Sequence, residues 1–353
     1  MRGKIILVFN VGSSSIKYSL FKDSNIIKQG NYEELKTEED YKISVEKIFK
    51  NIDEKEVDLI IHRVVHGGGL KKPLRINEEI KNKIKRFSEF APLHNPRQLK
   101  VIELCEHYKK PQYAVFDTIF FADLPEIAKI YAIPKRITEK YKIKKYGFHG
   151  LSHKSVSRGL KGRTIICHLG SGSSISAIKD SKAIDISMGL TPLEGIMMGT
   201  RSGSIDPGII LLLQREGYNA EDILTNKSGL KGICGYSDFR IIRKKMGKNK
   251  DCKLAYGMFI YQIIKTIGSY VAVLNGLDNL VFTAKIGENV AELREKVCNH
   301  LSFLGVQLDK KKNRLNSEII SSEKSKVRVY VRKTNEEKIA VEEIMKIYKT
   351  KIT

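Results

Sequence analysis

Two rhythms of apolar and polar positions run along the chain. Residues 5–9 form a continuous apolar run, whereas after a Gly/Ser turn Ile16, Tyr18 and Leu20 alternate with Lys17 and Ser19. The first rhythm predicts a fully buried strand, the second a strand with one buried face. Short apolar runs at 57–61, 113–116, 165–169, 280–283 and 327–331 predict further strands, and 175–178 continues the second of two hairpins. Helices are expected at 33–51 and 78–90, with a long, largely apolar one at 253–274. Asn289 with Glu292, and Thr334 with Glu337, have capping-box spacing, so helices are expected to start there. Strands alternating with helices indicate an α/β architecture.

The opening hairpin recurs. Residues 6–21 read ILVFNVGSSSIKYSLF, and CHLGSGSSISAI from Cys167 onwards repeats the order strand, Gly/Ser turn, strand. Each copy ends in Lys-Asp-Ser, at 22–24 and 179–181, about 157 residues apart. A repeat of half the chain points to two related domains more than to chance similarity of two turns.

The 353 residues are 41% hydrophobic and 29% charged, which fits a globular protein with a sizeable core. Five cysteines, without a Cys-x-x-Cys, argue against a disulfide framework or structural zinc and fit a reducing cytosol. No apolar run is expected to span a bilayer, and the run at 5–9 is short for a signal-peptide core. The net charge of +23, from 63 Lys and Arg against 40 Asp and Glu, would suit a nucleic-acid binder or an enzyme that steers anions. The lysines are spread along the chain without a nucleic-acid-binding signature. A solvated basic surface is therefore preferred, and no specific nucleic-acid partner is expected.

Several residues carry candidate chemistry. A phosphate needs converging N–H donors, which the two Gly/Ser turns could supply, with Ser13, Ser15 and Lys17 adding hydroxyls and charge. No Gly-Lys-Ser/Thr leads into a helix, so neither turn is a P-loop, and such a hairpin alone is more often just an ordinary turn; two of them in one chain favour the phosphate reading. Arg63, before three glycines, and Arg201, in Gly199-Thr200-Arg201-Ser202-Gly203, are read as anion clamps in preference to surface ion pairs. Asp117 follows a strand, where α/β sheets place functional groups, or it caps a helix. His149 and His153 lack the Glu of His-Glu-x-x-His, which argues against zinc. His149 is better suited to donate to developing charge, while His94 and His153 stay open to purely structural roles.

At this point the motifs resemble a known family. FNVGSSSIKYSLF, HRVVHGG, APLHNP, VFDT, YGFHGLSHK, CHLGSGSSI, DISMGLTPLEGIMMGTRSGSIDP, LVFTAKIGEN and TNEE are similar, in order and over essentially the whole chain, to the signatures of acetate kinases. The resemblance implies two duplicated actin-like (ribonuclease H-like) domains around a central cleft, at 1–118 plus 338–353 and at 119–337. It implies reversible phosphoryl transfer between ATP and acetate or another short carboxylate, with Mg²⁺ or Mn²⁺, in a cytoplasmic homodimer with no membrane association. It assigns Asn10 and Glu336 to the metal and Ser13, Ser15 and Lys17 to the transferred phosphate. Arg63 would bind substrate, with Arg201 and His149 stabilising the transition state. Asp117 occupies the acid/base position, although orienting the metal or Arg63 is the preferred role. Val65, Leu93, Phe148 and Pro192 would line a pocket for the methyl group. His168, Leu169, Gly170, Ser171 and Gly172, then Asp238, Phe239 and Arg240, then Lys285, Ile286, Gly287, Glu288 and Asn289, would form the nucleotide site.

Three positions depart from the family pattern. Phe121 replaces a histidine, Ser171 an asparagine and Lys285 a glycine expected to lie against adenosine. The chain is also shorter than most relatives, ahead of Val57. Lys285 motivates a variant reading with another donor, such as pyrophosphate. A propionate or other short-acyl kinase is the close alternative. A non-catalytic nucleic-acid binder and an actin-like structural protein are the readings from other classes, and Arg63, His149 and Arg201 argue against the latter.

Overall fold

The computed structural model describes residues 3–12 and 14–350. They fall into two compact units. The first comprises the chain up to Ala122, the segment Phe148–Ser155 and the chain from Asn335 onwards; the second comprises Asp123–Gly147 and Val156–Thr334. This division differs from the sequence boundaries chiefly at Phe148–Ser155. Leu151 in that segment is buried in the first unit's core with Ile339 and Ile344, which explains where the segment belongs.

The first unit has a six-stranded sheet. Its strands are β1 (Ile5–Val11), β2 (Ile16–Lys22), β3 (Asn25–Tyr32), β4 (Leu59–Val64), β5 (Leu74–Arg75) and β6 (Gln112–Phe116), in the order β3-β2-β1-β4-β6-β5. The continuous apolar run of β1 serves both faces. Leu7 and Phe9 pack with Val45 and Ile48 of the helix Glu38–Asn51, while Ile6 and Val8 pack with Val341 and Ile344 of the helix Glu336–Thr350. A central strand covered on both faces needs no polar alternation.

The second unit has β7 (Arg163–Leu169), β8 (Ser173–Lys179), β9 (Lys182–Ile186), β10 (Asn279–Thr283) and β11 (Arg328–Val331). Their order, β11-β10-β7-β8-β9, repeats β6-β4-β1-β2-β3. The senses match too: β1–β2 and β7–β8 are antiparallel, while β1–β4 and β7–β10 are parallel. Even an irregularity is copied, since the register shifts between Leu20 and Phe21 in one sheet and between Ala177 and Ile178 in the other. The fold is thus a duplicated α/β unit, as the repeated hairpin predicts.

Several local expectations are corrected. The helix expected from residue 33 starts at Glu38, where Thr37 and Asp40 form a reciprocal capping box, and residues 33–37 connect it to the edge strand β3, which ends at Tyr32. Asn289 caps nothing: it ends the helix Ala284–Asn289 and donates to the Lys285 carbonyl, and the next helix starts at Ala291. Asn335, not Thr334, caps the last helix, accepting from the Lys338 N–H at 3.0 Å. The helix Lys250–Leu274, with 25 residues, is long and apolar enough to cross a bilayer, contrary to expectation. Its Ala255, Phe259, Ile263 and Ile267 form one stripe in the second unit's core, so the structure uses it as a core helix.

Candidate active site

In the first unit, parallel pairing sets Asn10 of β1 beside Arg63 of β4, and β6 ends alongside, leading into Asp117. Arg63 grips Asp117 with both prongs of its fork, Nε to Oδ1 at 3.0 Å and Nη2 to Oδ2 at 2.6 Å. Its remaining nitrogen, Nη1, donates to Asn10 Oδ1 at 2.8 Å and lies 2.9 Å from Glu336 Oε2. Asn10 Nδ2 in turn donates to Glu336 and Glu337 at 3.2 and 3.1 Å. The side chains of Arg63, Asp117 and Glu336 are 15%, 1% and 12% exposed, so this network is largely shielded from water.

The charges do not balance. One guanidinium faces three carboxylates. Burial opposes the Arg63 charge, but Asp117, Glu336 and Glu337 outweigh it and raise its pKa. Glu336 titrates above the usual carboxylate range because it is buried and faces Asp117 and Glu337, with Arg63 acting the other way. A site with surplus negative charge and hard oxygen donors fits a divalent cation such as Mg²⁺. Among the described residues no cluster of three His, Cys, Asp or Glu forms a ready-made metal cage.

The backbone around Arg63 is held by residues that the sequence reading did not single out. Gln98 accepts from the Val65 N–H at 2.9 Å and donates to the Val11 carbonyl at 3.0 Å. Asn95 accepts from the His66 N–H and donates to its carbonyl, both at 3.0 Å. Gly67 packs so tightly on the Phe116 ring that a Cβ would overlap it. Gly150 packs on the Asp117 carbonyl in the same way, and His149 just before it takes a left-handed φ of 57°. Val65 and Phe148 are buried and Leu93 is half-buried. Phe121 is buried edge-on to His153, ring centroids 5.6 Å apart. Ser13 lies outside the described residues. Gly12 and Ser15 close the turn at 2.8 Å, and Lys17, opposite Asn10 in the register, is exposed.

In the second unit, the turn after β7 is closed by Gly170 N–H on the Gly172 carbonyl at 3.1 Å and by Ser173. His168 of β7 pairs with Thr283 of β10, which brings Ala284 next to Gly170. Ala284 has a left-handed φ of 64°, a conformation that suits glycine better. Glu288 holds this bend by accepting from the Ala284 N–H at 2.9 Å. Arg294, fully buried, binds the Gly287 and Glu288 carbonyls at 2.8 and 2.9 Å, and also Asn313 and Asn316. Burial pulls its pKa down to about 10. Lys285 is exposed, while Ile286 is buried. Asp238 caps its helix and pairs with Arg240 at 2.6 Å, whereas the Phe239 ring is buried against Tyr256 and Phe259. Gly199 ties this region together, its N–H donating to the Ser171 carbonyl and its Cα facing Ser237.

Arg201 contrasts with Arg63. Among the described residues its hydrogen-bond partners are the Pro192 carbonyl at 3.2 Å and the Met198 sulfur at 3.6 Å. Desolvation lowers its pKa. A desolvated guanidinium held by neutral groups is electrostatically suited to an anion.

A duplicated α/β fold that carries a carboxylate-gripped arginine in one unit and a desolvated arginine in the other suits an enzyme that handles anionic groups, as a phosphotransferase does. The comparisons make the class specific. The model of the acetokinase family matches residues 24–342. An acetate kinase of Thermoanaerobacter pseudethanolicus is 43% identical, covering 98% of this chain and 99% of the relative. The crystal structure of Porphyromonas gingivalis acetate kinase aligns with TM-score 0.87 at 36% identity, covering 98% of this chain and 100% of the other. That of a propionate kinase from Francisella tularensis aligns with TM-score 0.88 at 36% identity, covering 96% and 98%. The chain belongs to the acetokinase family, phosphotransferases with a carboxyl group as acceptor.

Proposed function

We propose that this chain is an acetate kinase, which transfers the γ-phosphoryl group of ATP to acetate reversibly. A carboxylate oxygen forms a bond to γ-phosphorus as the bond to the ADP oxygen breaks; no proton needs to move. The demand on the protein is alignment and charge neutralisation of two anions. The observation that carries the reading is the Arg63–Asp117 fork flanked by Asn10 and Glu336. Asp117 acts there by orienting Arg63, which presents its outer edge to the acyl or phosphoryl group. Arg201 and His149 stabilise charge as it spreads over the equatorial oxygens. Asn10, Glu336 and Glu337 would hold Mg²⁺ or Mn²⁺, which when bound would neutralise nucleotide phosphate charge. Val65, Leu93 and Phe148 would shield the methyl group, a role that the family resemblance also assigns to Pro192. Ser13, Ser15 and Lys17 are assigned to the transferred phosphate by the family resemblance, and residues 168–172, 238–240 and 285–289 to the nucleotide.

The equal 36% identity to an acetate kinase and to a propionate kinase makes acyl length a necessary arm of the test. Exposed Lys285 makes the donor another. Purified protein is assayed with acetate or propionate against ATP or pyrophosphate. The reading expects the highest kcat/KM with acetate and ATP. A folded protein inactive with adenine nucleotides overturns it. A cytoplasmic homodimer belongs to the same reading, and sedimentation equilibrium tests the oligomeric state.

A further inference from the structure

The loop that carries Pro192 and Arg201 is closed by a residue far away in sequence. Tyr131 donates its phenol hydrogen to Glu194, while the same oxygen accepts from the Leu190 N–H at 2.9 Å. One hydroxyl thus joins both ends of residues 190–194, with Pro192 in the middle. The fit is tight, since a Cβ on Gly189 would overlap both Glu194 and the phenol oxygen. Beyond Glu194, Gly195 has a φ of 109° and exchanges two hydrogen bonds with Ser204, N–H to Oγ at 3.1 Å and carbonyl to N–H at 2.8 Å. Arg201 lies inside this second closure and rests on the Pro192 carbonyl.

We propose that Tyr131 and Glu194 are positioning residues for Arg201: their clasp fixes the Pro192 carbonyl and thereby aims the guanidinium. The proposal rests on the reading of Arg201 as the group that stabilises the transferring phosphoryl. A phenol shared between a carboxylate and an N–H is polarised by both, which strengthens each bond. Burial, then the Glu194 charge, push the Tyr131 pKa up, so the phenol stays a donor at working pH. Because the Pro192 carbonyl and the Met198 sulfur are its hydrogen-bond partners among the described residues, a shift of Pro192 passes directly to Arg201. Misplacement of such a group by about 1 Å costs roughly a hundredfold in rate.

The test compares Tyr131→Phe, Glu194→Ala, Glu194→Gln and Arg201→Ala in steady-state kinetics, with thermal melts of each. Tyr131→Phe keeps the ring, and Glu194→Gln keeps an oxygen that accepts from the phenol. The expected result is kcat lowered about ten- to a hundredfold in Tyr131→Phe and Glu194→Ala, with KM for ATP within about twofold and Tm close to that of the parent. Glu194→Gln should stay within about threefold of the parent. If Arg201→Ala is nearly inactive while Tyr131→Phe and Glu194→Ala keep parental kcat, the clasp is only structural and the proposal fails. Equal loss in Glu194→Gln and Glu194→Ala also overturns it. If Arg201→Ala itself keeps parental kcat, the role of Arg201 is what fails, and the proposal falls with it.

Discussion

Replacing His62 with Phe should flatten the acid side of the stability profile. His62 is on β4, next to Arg63, and is 1% exposed. Its ring stacks on Phe9 at 5.5 Å, and Nε2 lies 2.7 Å from Gln112 Oε1. Nδ1 is buried and finds no hydrogen-bond partner among the described residues. Burial therefore lowers the pKa from 6.5 to about 4, with Gln112 pulling the other way. Between these values the unfolded chain binds a proton that the folded chain refuses. The stability from this group is complete above the unfolded pKa and is lost as the pH falls. The separation between these two values corresponds to about 3 kcal/mol in all, of which about 2 kcal/mol disappears between pH 7 and pH 4.5. Phe keeps the stacking and removes the titration. It strands Gln112, so the variant should begin about 1–3 kcal/mol less stable at pH 7. Urea unfolding of both proteins at the two pH values reads the difference, because the other titrating groups are common to both. The variant should lose about 2 kcal/mol less than its parent. Equal losses would show that His62 is not held neutral and would refute the reasoning.

Other substitutions probe the two units separately. Asp117→Asn keeps the shape but removes the charge that Arg63 grips; kcat should fall about tenfold or more with the circular dichroism spectrum unchanged, and parental kcat would contradict the orienting role. Ala284→Gly should raise stability by about 1 kcal/mol in thermal melts by relieving the left-handed backbone; a lower Tm would show that the bend is not strained. Arg294→Met leaves the Gly287 and Glu288 carbonyls without their donor. It should cost about 3 kcal/mol and raise KM for ATP more than KM for acetate, whereas equal changes in both would detach this segment from the nucleotide.

Local signals made much of the fold legible. The apolar runs of β1 and β7 and their Gly/Ser turns carry the duplicated hairpin in plain sequence, and Asn10, Arg63, Asp117 and Glu336 stand at motif positions. Residues whose roles depend on distant partners were not legible. β3 reads NIIKQGNY, mostly exposed on a sheet edge, so no burial imposes an alternation. Asn95 and Gln98 look like ordinary helix residues until the Val65 and His66 backbone is laid beside them. Glu337 looks like half of a capping box, yet it reaches back 327 positions to Asn10. Tyr131 and Glu194 are separated by 63 residues, and no period connects them. The apolar helix Lys250–Leu274 shows the converse, because a pattern that satisfies a membrane also satisfies a core.

The central claim is that Arg63, held by Asp117, serves phosphoryl transfer to a carboxylate. The most direct measurement is hydroxylamine trapping of the acyl phosphate formed from ATP, acetate and Mg²⁺ by the parent protein and by Arg63→Ala, matched for folded protein. The account predicts acetohydroxamate in proportion to ADP from the parent, and a rate lower by about a hundredfold or more from the variant. ADP release without hydroxamate, or equal rates from the two proteins, would contradict it.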